Sequence, residues 1–145
     1  MTAADNARPA GIVVATHGEL ARALIASAEM IVGVQENVVP VCLSQEDSPE
    51  TFQQRLKTAI QRVDSGAGVL ILIDLFGGTP GNSAALAVYQ SDLQVVSGVN
   101  LPMLIEVLLS RQSQSPKELA AHAMESGKIG IVDITAKVRE QMRAA

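Results

Sequence analysis

The chain has 145 residues and a mass of 15.2 kDa, a size that suits one compact domain. Apolar residues make up 48% and charged residues 18% of the sequence, which argues against a disordered or fibrous chain. The formal net charge of −4, without a basic block, argues against nucleic acid and anionic membranes as partners. The single cysteine, Cys42, excludes an internal disulfide framework.

The first residues are polar and predict a disordered tail over 1–10, without the apolar core of a signal peptide. Residues 11–145 predict a single domain. This domain opens with a short run of β-branched and small residues, 11–15, that is typical of a buried strand. A helix that ends near Gly33 follows, because apolar residues recur at helical spacing at Leu20, Leu24, Ala28 and Ile31.

A second strand is predicted over 38–43, where Pro40 favours an edge position because proline cannot donate a hydrogen bond to a neighbouring strand. Ser48 and Pro49 begin the next helix as its cap and its first-turn residue. The apolar stripe of this helix consists of Phe52, Leu56, Ile60 and Val63. The most apolar strand, 68–73, comes next and is expected at the centre of the sheet.

After the third strand a glycine-rich loop, 74–80, leads into a helix that ends near Tyr89. A fourth strand over 93–97 precedes two helices, the second of which begins with a Ser-x-x-Glu capping box at Ser115. Residues 129–134 predict a fifth short strand, and a charged helix closes the chain. Strands that alternate with helices predict an α/β fold with a doubly wound, mostly parallel sheet and helices on both faces.

Two chemically special segments follow the first and third predicted strands, at the sheet edge where such folds bind ligands. The first segment is Thr16-His17-Gly18, and the second is Asp74 with Gly77, Gly78, Thr79 and Pro80. The strand order 2-1-3-4 would make the two strands neighbours and bring both segments to one rim. Thr79 is also the expected cap of the helix that follows the loop.

The residue types in these segments suit phosphoryl transfer. A neutral imidazole at His17 can act as a nucleophile near neutral pH and accept a phosphoryl group. The carboxylate of Asp74 can hold the ring Nδ1–H and fix its tautomer. The glycine pair and the start of the helix let backbone N–H groups approach a phosphate. Together these features predict a small phosphoryl site without a metal or a cofactor.

Each of these residues also has a purely structural interpretation. A histidine at a strand end is often only exposed, Asp74 can cap a turn, and a Gly-Gly-Thr-Pro loop commonly joins a strand to a helix. His122 is expected on a solvated helix face and Cys42 in the core. Ser83, Ser97 and Asn100 are interpreted as caps. The nucleotide-binding P-loop and the Gly-x-Gly-x-x-Gly fingerprint are both missing from the sequence.

Three motifs resemble the enzyme IIA domain of the mannose family, which belongs to the bacterial phosphoenolpyruvate-dependent sugar phosphotransferase system. They are GIVVATHGELA from Gly11, IDLFGGTPGNSA from Ile73 and SGVNLPML from Ser97. The motifs occur in the family's order and spacing, and the resemblance covers residues 11–135.

The resemblance implies a mechanism. His17 would take a phosphoryl group at Nε2 from the phosphocarrier HPr and pass it to a histidine of a IIB partner, which serves the membrane subunits IIC and IID in sugar uptake. Asp74 would orient the imidazole. The residues that help to hold the phosphate would be Gly77, Gly78 and Thr79.

The resemblance also implies an assembly. Family members are dimers in which the last short strand packs antiparallel on the partner's sheet, and residues 129–134 correspond to that strand. We therefore expect a homodimer in the cytoplasm, peripheral to a membrane transporter complex. Family chains often begin close to the first strand, whereas this chain has about ten residues before it, and its end near Ala145 leaves IIB as a separate chain.

Three other functions remain open at this point. A regulatory phosphoprotein would use the same His17 phosphorylation without sugar transport, and genes for IIB and membrane subunits nearby would separate the two. A related IIA-like domain supplies phosphate to a dihydroxyacetone kinase, although the loop that begins at Asp74 fits the mannose type better. A flavodoxin-like binding module would take up no phosphoryl group.

Overall fold

The fold of residues 8–145, which the computed structural model describes, is built from strands that alternate with helices. In chain order the elements are β1 (Gly11–His17), α1 (Leu20–Val32), β2 (Val38–Leu43), α2 (Pro49–Val63), β3 (Val69–Ile73), α3 (Gly78–Gln90), β4 (Gln94–Val96), α4 (Leu101–Ser110), α5 (Pro116–Ile129) and α6 (Ile134–Ala144). No helix in this part of the chain is both long and apolar enough to cross a bilayer.

The strands form one parallel sheet in the order β2-β1-β3-β4, which confirms the α/β fold and the strand order predicted from the sequence. The strand that contains Pro40 lies at the edge of the sheet, as expected. Ala15 of β1 lies opposite Ile73 at the end of β3. Because the two strands run in the same direction, the segments that follow them emerge at the same edge.

Both faces of the sheet are covered by helices, which explains why β3 is apolar along its whole length. Leu70 and Leu72 point into a core that contains residues of α1, α4 and α5. The alternate residues Val69, Ile71 and Ile73 belong to a second core beneath α2 and α3. The side chains of β3 therefore contribute to both hydrophobic cores, one on each face of the sheet.

Side chains before the helices set where several of them begin. Ser48 Oγ accepts the N–H of Thr51, and Ser115 Oγ accepts the N–H of Glu118. Asn100 Oδ1 accepts the N–H of Met103, which confirms its interpretation as a cap. These bonds satisfy N–H groups that a helix cannot pair internally.

Residues 129–134 do not form the predicted fifth strand in the described chain, so this expectation is corrected. α5 continues to Ile129, and α6 begins at Ile134 after the side chain of Asp133 accepts the N–H of Ala136. A strand needs a neighbour for its backbone hydrogen bonds, and the sheet of residues 8–145 offers none to this segment. Ile129, Ile131 and Ile134 are consequently exposed.

The amino end of the fold is held by a buried arginine that the sequence analysis did not single out. Of the predicted tail over 1–10, residues 1–7 lie outside the described residues, whereas Ala10 is buried. Its carbonyl accepts a hydrogen bond from Nη1 of Arg111, at 3.3 Å. The same guanidinium, on a residue only 4% exposed, contacts the carbonyl oxygens of Asn37 and Glu36 at 3.4 and 2.6 Å. Arg111 therefore ties the end of α4 to the starts of β1 and β2.

We expect Arg111→Leu to lower the free energy of unfolding by about 2–4 kcal/mol, because it leaves the buried carbonyl of Ala10 and two partly buried carbonyls without their donor. Urea unfolding measures this loss. Arg62→Leu, at an exposed position in the last turn of α2, is the matched control and should change the stability little. A similar loss in both variants would contradict a specific role for the Arg111 contacts.

Candidate functional site

His17 and Asp74 meet at the carboxyl edge of the sheet, although they are 57 positions apart in the sequence. Nδ1 of His17 lies 2.9 Å from Oδ2 of Asp74. The backbone N–H of His17 donates to the same oxygen, also at 2.9 Å. The parallel pairing of β1 with β3 creates this contact, because each residue stands directly at the end of its strand.

The hydrogen bond to the carboxylate fixes the tautomer of the His17 ring. A carboxylate only accepts, so the network assigns the proton to Nδ1 and leaves the lone pair on Nε2. The histidine side chain is 46% exposed and the aspartate side chain 11% exposed. The imidazole ring is therefore accessible from solution, while the carboxylate bonded to it is shielded.

Asp74 is held as an anion by its hydrogen bonds. Burial alone would raise the pKa of this carboxyl group, but the backbone and ring donors of His17 outweigh it and lower the pKa below its usual value. The N–H of Leu75 adds a third bond, to Oδ1 at 3.0 Å. An ionised carboxylate at this position can stabilise positive charge on the imidazole as Nε2 reacts.

The turn that carries His17 is anchored on its other side by Thr16, to which the sequence analysis gave no role of its own. The hydroxyl of this fully buried residue accepts the N–H of Ala21 in the first turn of α1, at 2.8 Å. The N–H of Gly18 donates to the carbonyl of Leu43 in β2, at 2.8 Å. A hydroxyl residue shortly before a helix was the available sign, since such residues often accept its first N–H groups.

The start of α3 lies close to the ring of His17 and has a backbone conformation that favours glycine. Gly77 and Gly78 have φ values of +98° and +68°, in the left-handed region that favours glycine. A Cβ placed on Gly78 would lie 3.1 Å from Cε1 and 3.2 Å from Nε2 of His17. The cap position of α3 belongs to Gly77 rather than to Thr79, which instead lies within the first turn.

The first turn of α3 offers backbone donors close to the ring of His17. Within the described chain no side chain caps this helix. Its first N–H groups, which include those of Gly78 and Thr79, therefore have no partner inside the helix. Such a helix start carries partial positive charge and suits an anion. The arrangement can accommodate a phosphoryl group bonded to Nε2 of His17.

The site is an open rim rather than a cavity. A cleft of about 420 Å³ lies elsewhere, between α2 and α3, where its lining includes Gln53, Lys57 and Gln90 but neither His17 nor Asp74. Small-molecule sites are usually concave and enclose most of their ligand. An exposed nitrogen on a rim is instead accessible to a second protein.

The other side chains considered from the sequence lie apart from this pair. His122 is exposed on α5, where Nδ1 lies 2.9 Å from Oε1 of Gln114. Cys42 is a free, half-buried thiol in β2. Ser83 is buried in α3 and Ser97 is exposed after β4. Residues 8–145 contain no group of three His, Cys, Asp or Glu side chains that could hold a metal ion.

Comparison with protein families places the site in a known context. Residues 11–124 match the family described as "PTS system fructose IIA component". The chain is 38% identical to the mannose-specific EIIAB component of Escherichia coli strain K12 over 136 residues. This alignment covers 92% of this chain and 42% of the E. coli protein. It thus spans less than half of that relative. The fructose-specific EIIA component of Bacillus subtilis is 34% identical over 109 residues, an alignment that covers 74% of this chain and 75% of that protein.

Solved structures show the same architecture. Phosphotransferase system component EIIA from Streptococcus agalactiae superposes with a TM-score of 0.80 and is 30% identical, covering 87% of this chain and 98% of its own. The mannose/sorbose-specific IIA subunit from Enterococcus faecalis gives a TM-score of 0.79 at 32% identity, with coverages of 88% and 96%.

We expect the contribution of Asp74 to stability to depend on pH. Its pKa in the folded chain is lowered from 3.8, so this contribution is present above that value and is lost as the pH falls through the folded-state pKa. Asp74→Asn should lower the free energy of unfolding by about 1–3 kcal/mol at pH 7. The difference from the parent protein should shrink below about pH 4.

Urea unfolding at several pH values between 7 and 3 measures both effects. Asp92→Asn, at an exposed carboxylate, is the control and should show no such convergence. A difference between Asp74→Asn and the parent protein that stays constant down to pH 3 would contradict the lowered pKa.

Proposed function

The chain belongs to the mannose-type enzyme IIA family of the sugar phosphotransferase system, and we propose that His17 is its phosphoryl carrier. Components of this family are phosphotransferases that pass phosphate between HPr and IIB partners. In this chain the donor would be phospho-HPr, and the acceptor would be a histidine of a IIB component that serves membrane IIC and IID subunits.

One observation carries the proposal. The ring of His17 is bonded through Nδ1 to a shielded carboxylate at 2.9 Å, while the ring itself is half exposed. This combination supports a nucleophile that is oriented on one side and reachable on the other. A histidine that only stabilised the fold would not need its second nitrogen free at the surface.

The transfer step follows from the assigned tautomer. The lone pair of Nε2 attacks the phosphorus of the donor phosphohistidine as the donor's nitrogen–phosphorus bond breaks, and the donor nitrogen keeps the electron pair of that bond. Positive charge on the ring of His17 is stabilised by Asp74 through Nδ1–H. Transfer to the acceptor repeats the step in the opposite sense. The bond made and the bond broken are of the same kind, so the exchange is readily reversible.

The first turn of α3 would hold the transferred group. Backbone N–H groups at Gly78 and Thr79 and the hydroxyl of Thr79 are the donors that the helix start supplies, and Gly77 shapes the approach. Since these donors belong to the backbone and a small hydroxyl, they can stabilise the phosphoryl group without activating water against it.

The proposal extends to the assembly of the protein. We infer that residues 11–145 act as one domain and that two copies associate as a homodimer. Residues 129–134 present exposed apolar side chains that contact with a second copy would shield from water.

Incubation with phosphoenolpyruvate, enzyme I and HPr, followed by intact-mass measurement, tests the proposal. We expect one acid-labile phosphoryl group per chain, because a phosphoramidate bond at histidine is acid labile. The group should be lost in His17→Ala and kept in His122→Ala, which removes the chain's other histidine. A phosphoryl group that persists in His17→Ala would refute the assignment.

Gly78→Ala should slow phosphoryl transfer by about tenfold or more, because the added methyl group displaces the ring of His17 from its attacking position. Gly33→Ala is the matched control, since Gly33 also has a positive φ, of +86°, but a Cβ there meets nothing within 4 Å. Both variants carry backbone strain, so only an effect of contact with His17 separates them. Equal transfer rates in single-turnover measurements would contradict the steric role of Gly78.

A further inference from the structure

A cleft of about 620 Å³ lies at the amino edge of the sheet, opposite the edge that carries His17. Its lining comes from the segments that precede β1 and β2 and from the ends of α2 and α4. The volume falls within the range of about 300–1,000 Å³ that is typical of small-molecule sites. We call it the arginine cleft, and the charged side chains that line it are Arg8, Arg62, Arg111, Glu36 and Asp64.

The charge of the arginine cleft is opposite in sign to that of the chain. Three arginines and two carboxylates give the lining a net charge of +1, whereas the whole chain carries −4. One of these carboxylates is already engaged, because Oδ1 of Asp64 accepts the N–H of Gly66 at 2.9 Å. A concave surface of positive charge attracts anions.

Arg111 is the buried member of this lining, and its charge has no ionic partner among residues 8–145. No carboxylate oxygen in that part of the chain lies within 4 Å of its guanidinium. The Nη atoms donate to neutral acceptors, which are the backbone carbonyls described above and Oε1 of Gln35 at 3.1 Å. The Nε atom is buried and, in the described chain, has no hydrogen-bond partner.

The burial of this charge favours an anion in the cleft. Burial lowers the pKa of the Arg111 guanidinium, although the charge of Glu36 opposes that shift. A charge that is removed from water destabilises a protein unless an opposite charge compensates it. Because neutral carbonyl groups compensate it only in part, an anion bound in the cleft would stabilise the guanidinium.

Neutral polar groups complete the lining and can recognise hydroxyl groups. The side-chain amides of Asn37 and Gln112 lie at exposed positions of the cleft. The hydroxyl of Ser65 donates to the carbonyl of Pro9 at 3.2 Å, which leaves its lone pairs available as acceptors. Amide and hydroxyl groups both donate and accept hydrogen bonds, as the hydroxyl groups of a sugar do. The lining therefore combines positive charge with groups that suit a hydroxylated ligand.

We propose that the arginine cleft binds a hydroxylated phosphate ester of the size of a sugar phosphate. The exposed guanidinium groups of Arg8 and Arg62 would bond the phosphate oxygens, because their planar forks match the spacing of two such oxygens. Arg111 would contribute its charge, and the amides of Asn37 and Gln112 would bond the hydroxyl groups. This ligand belongs to the chemical class that phosphoryl transfer to a sugar produces.

Inorganic phosphate is the competing ligand, and the shape of the cleft argues against it. A single phosphate ion would contact the arginines but would leave most of the 620 Å³ and the neutral polar groups unused. The rim beside His17 is the competing location, since the start of α3 also suits an anion. The two locations lie at opposite edges of the sheet, so binding at one can be distinguished from binding at the other.

Titration of the isotope-labelled protein with glucose 6-phosphate at constant ionic strength, followed by the NMR signals of the backbone amides, tests the proposal. We expect saturable shifts at residues 35–37, 62–65 and 111–112, which line the cleft. Gly78 and Thr79, at the rim beside His17, should not shift. Glucose alone and inorganic phosphate alone should each bind about tenfold or more weakly, because each makes only part of the contacts.

Arg62→Gln should weaken the binding of glucose 6-phosphate by about tenfold or more, because it removes a charge-assisted contact to the phosphate. Arg62 is exposed in the last turn of α2, so the substitution leaves the buried contacts of Arg111 in place. Arg139→Gln is the matched control, since it removes the same charge at an exposed position of α6, which does not line the cleft. The control should bind like the parent protein.

Four results would overturn the proposal. They are the absence of saturable shifts up to about 10 mM glucose 6-phosphate, equal affinities in Arg62→Gln and Arg139→Gln, shifts at Gly78 and Thr79 in place of the cleft, and inorganic phosphate that binds as tightly as the ester. The last result would assign the cleft to a free anion. None of these measurements depends on phosphoryl uptake by His17, so the carrier function is tested separately.

Discussion

One carboxylate oxygen of Asp74 accepts hydrogen bonds from both the backbone and the ring of His17, and the chemistry proposed for this chain depends on that convergence. The contact exists because β1 and β3 are parallel neighbours whose carboxyl ends coincide. It selects the tautomer, faces Nε2 outward and keeps the aspartate ionised. The ends of β1 and β3 are held in register by the sheet and by the two cores that cover it. At the opposite edge of the sheet, the buried Arg111 holds the start of β1.

Much of this arrangement could be predicted from the sequence because it follows from local patterns. The order of the elements followed from apolar strands, capped helices and glycine-rich turns. Because strands alternate with helices, a parallel sheet was expected, and only a few strand orders were possible. His17 and Asp74 were paired because both directly follow predicted strands. Their mutual distance depended on the strand order, which the residues favoured but did not by themselves require.

The features that the sequence could not supply depend on contacts between distant segments. Arg111 bonds to a carbonyl 101 positions away, and no local pattern distinguishes it from a solvated arginine. Residues 129–134 have the composition of a strand, but a strand forms only where another strand accepts its hydrogen bonds. The cap of α3 was assigned to Thr79 by residue type, whereas the turn instead places Gly77 at the cap with a positive φ and Gly78 close to the ring of His17.

The proximity of Gly78 to the imidazole limits which residues can replace it. Every other amino acid brings at least one more carbon atom into the space beside Nε2 of His17. Gly33 also has a positive φ but lies in open surroundings, and asparagine, which tolerates such angles, is a workable replacement there. A side chain can therefore be added at position 33 without a steric contact, whereas at position 78 it has to displace the ring of His17.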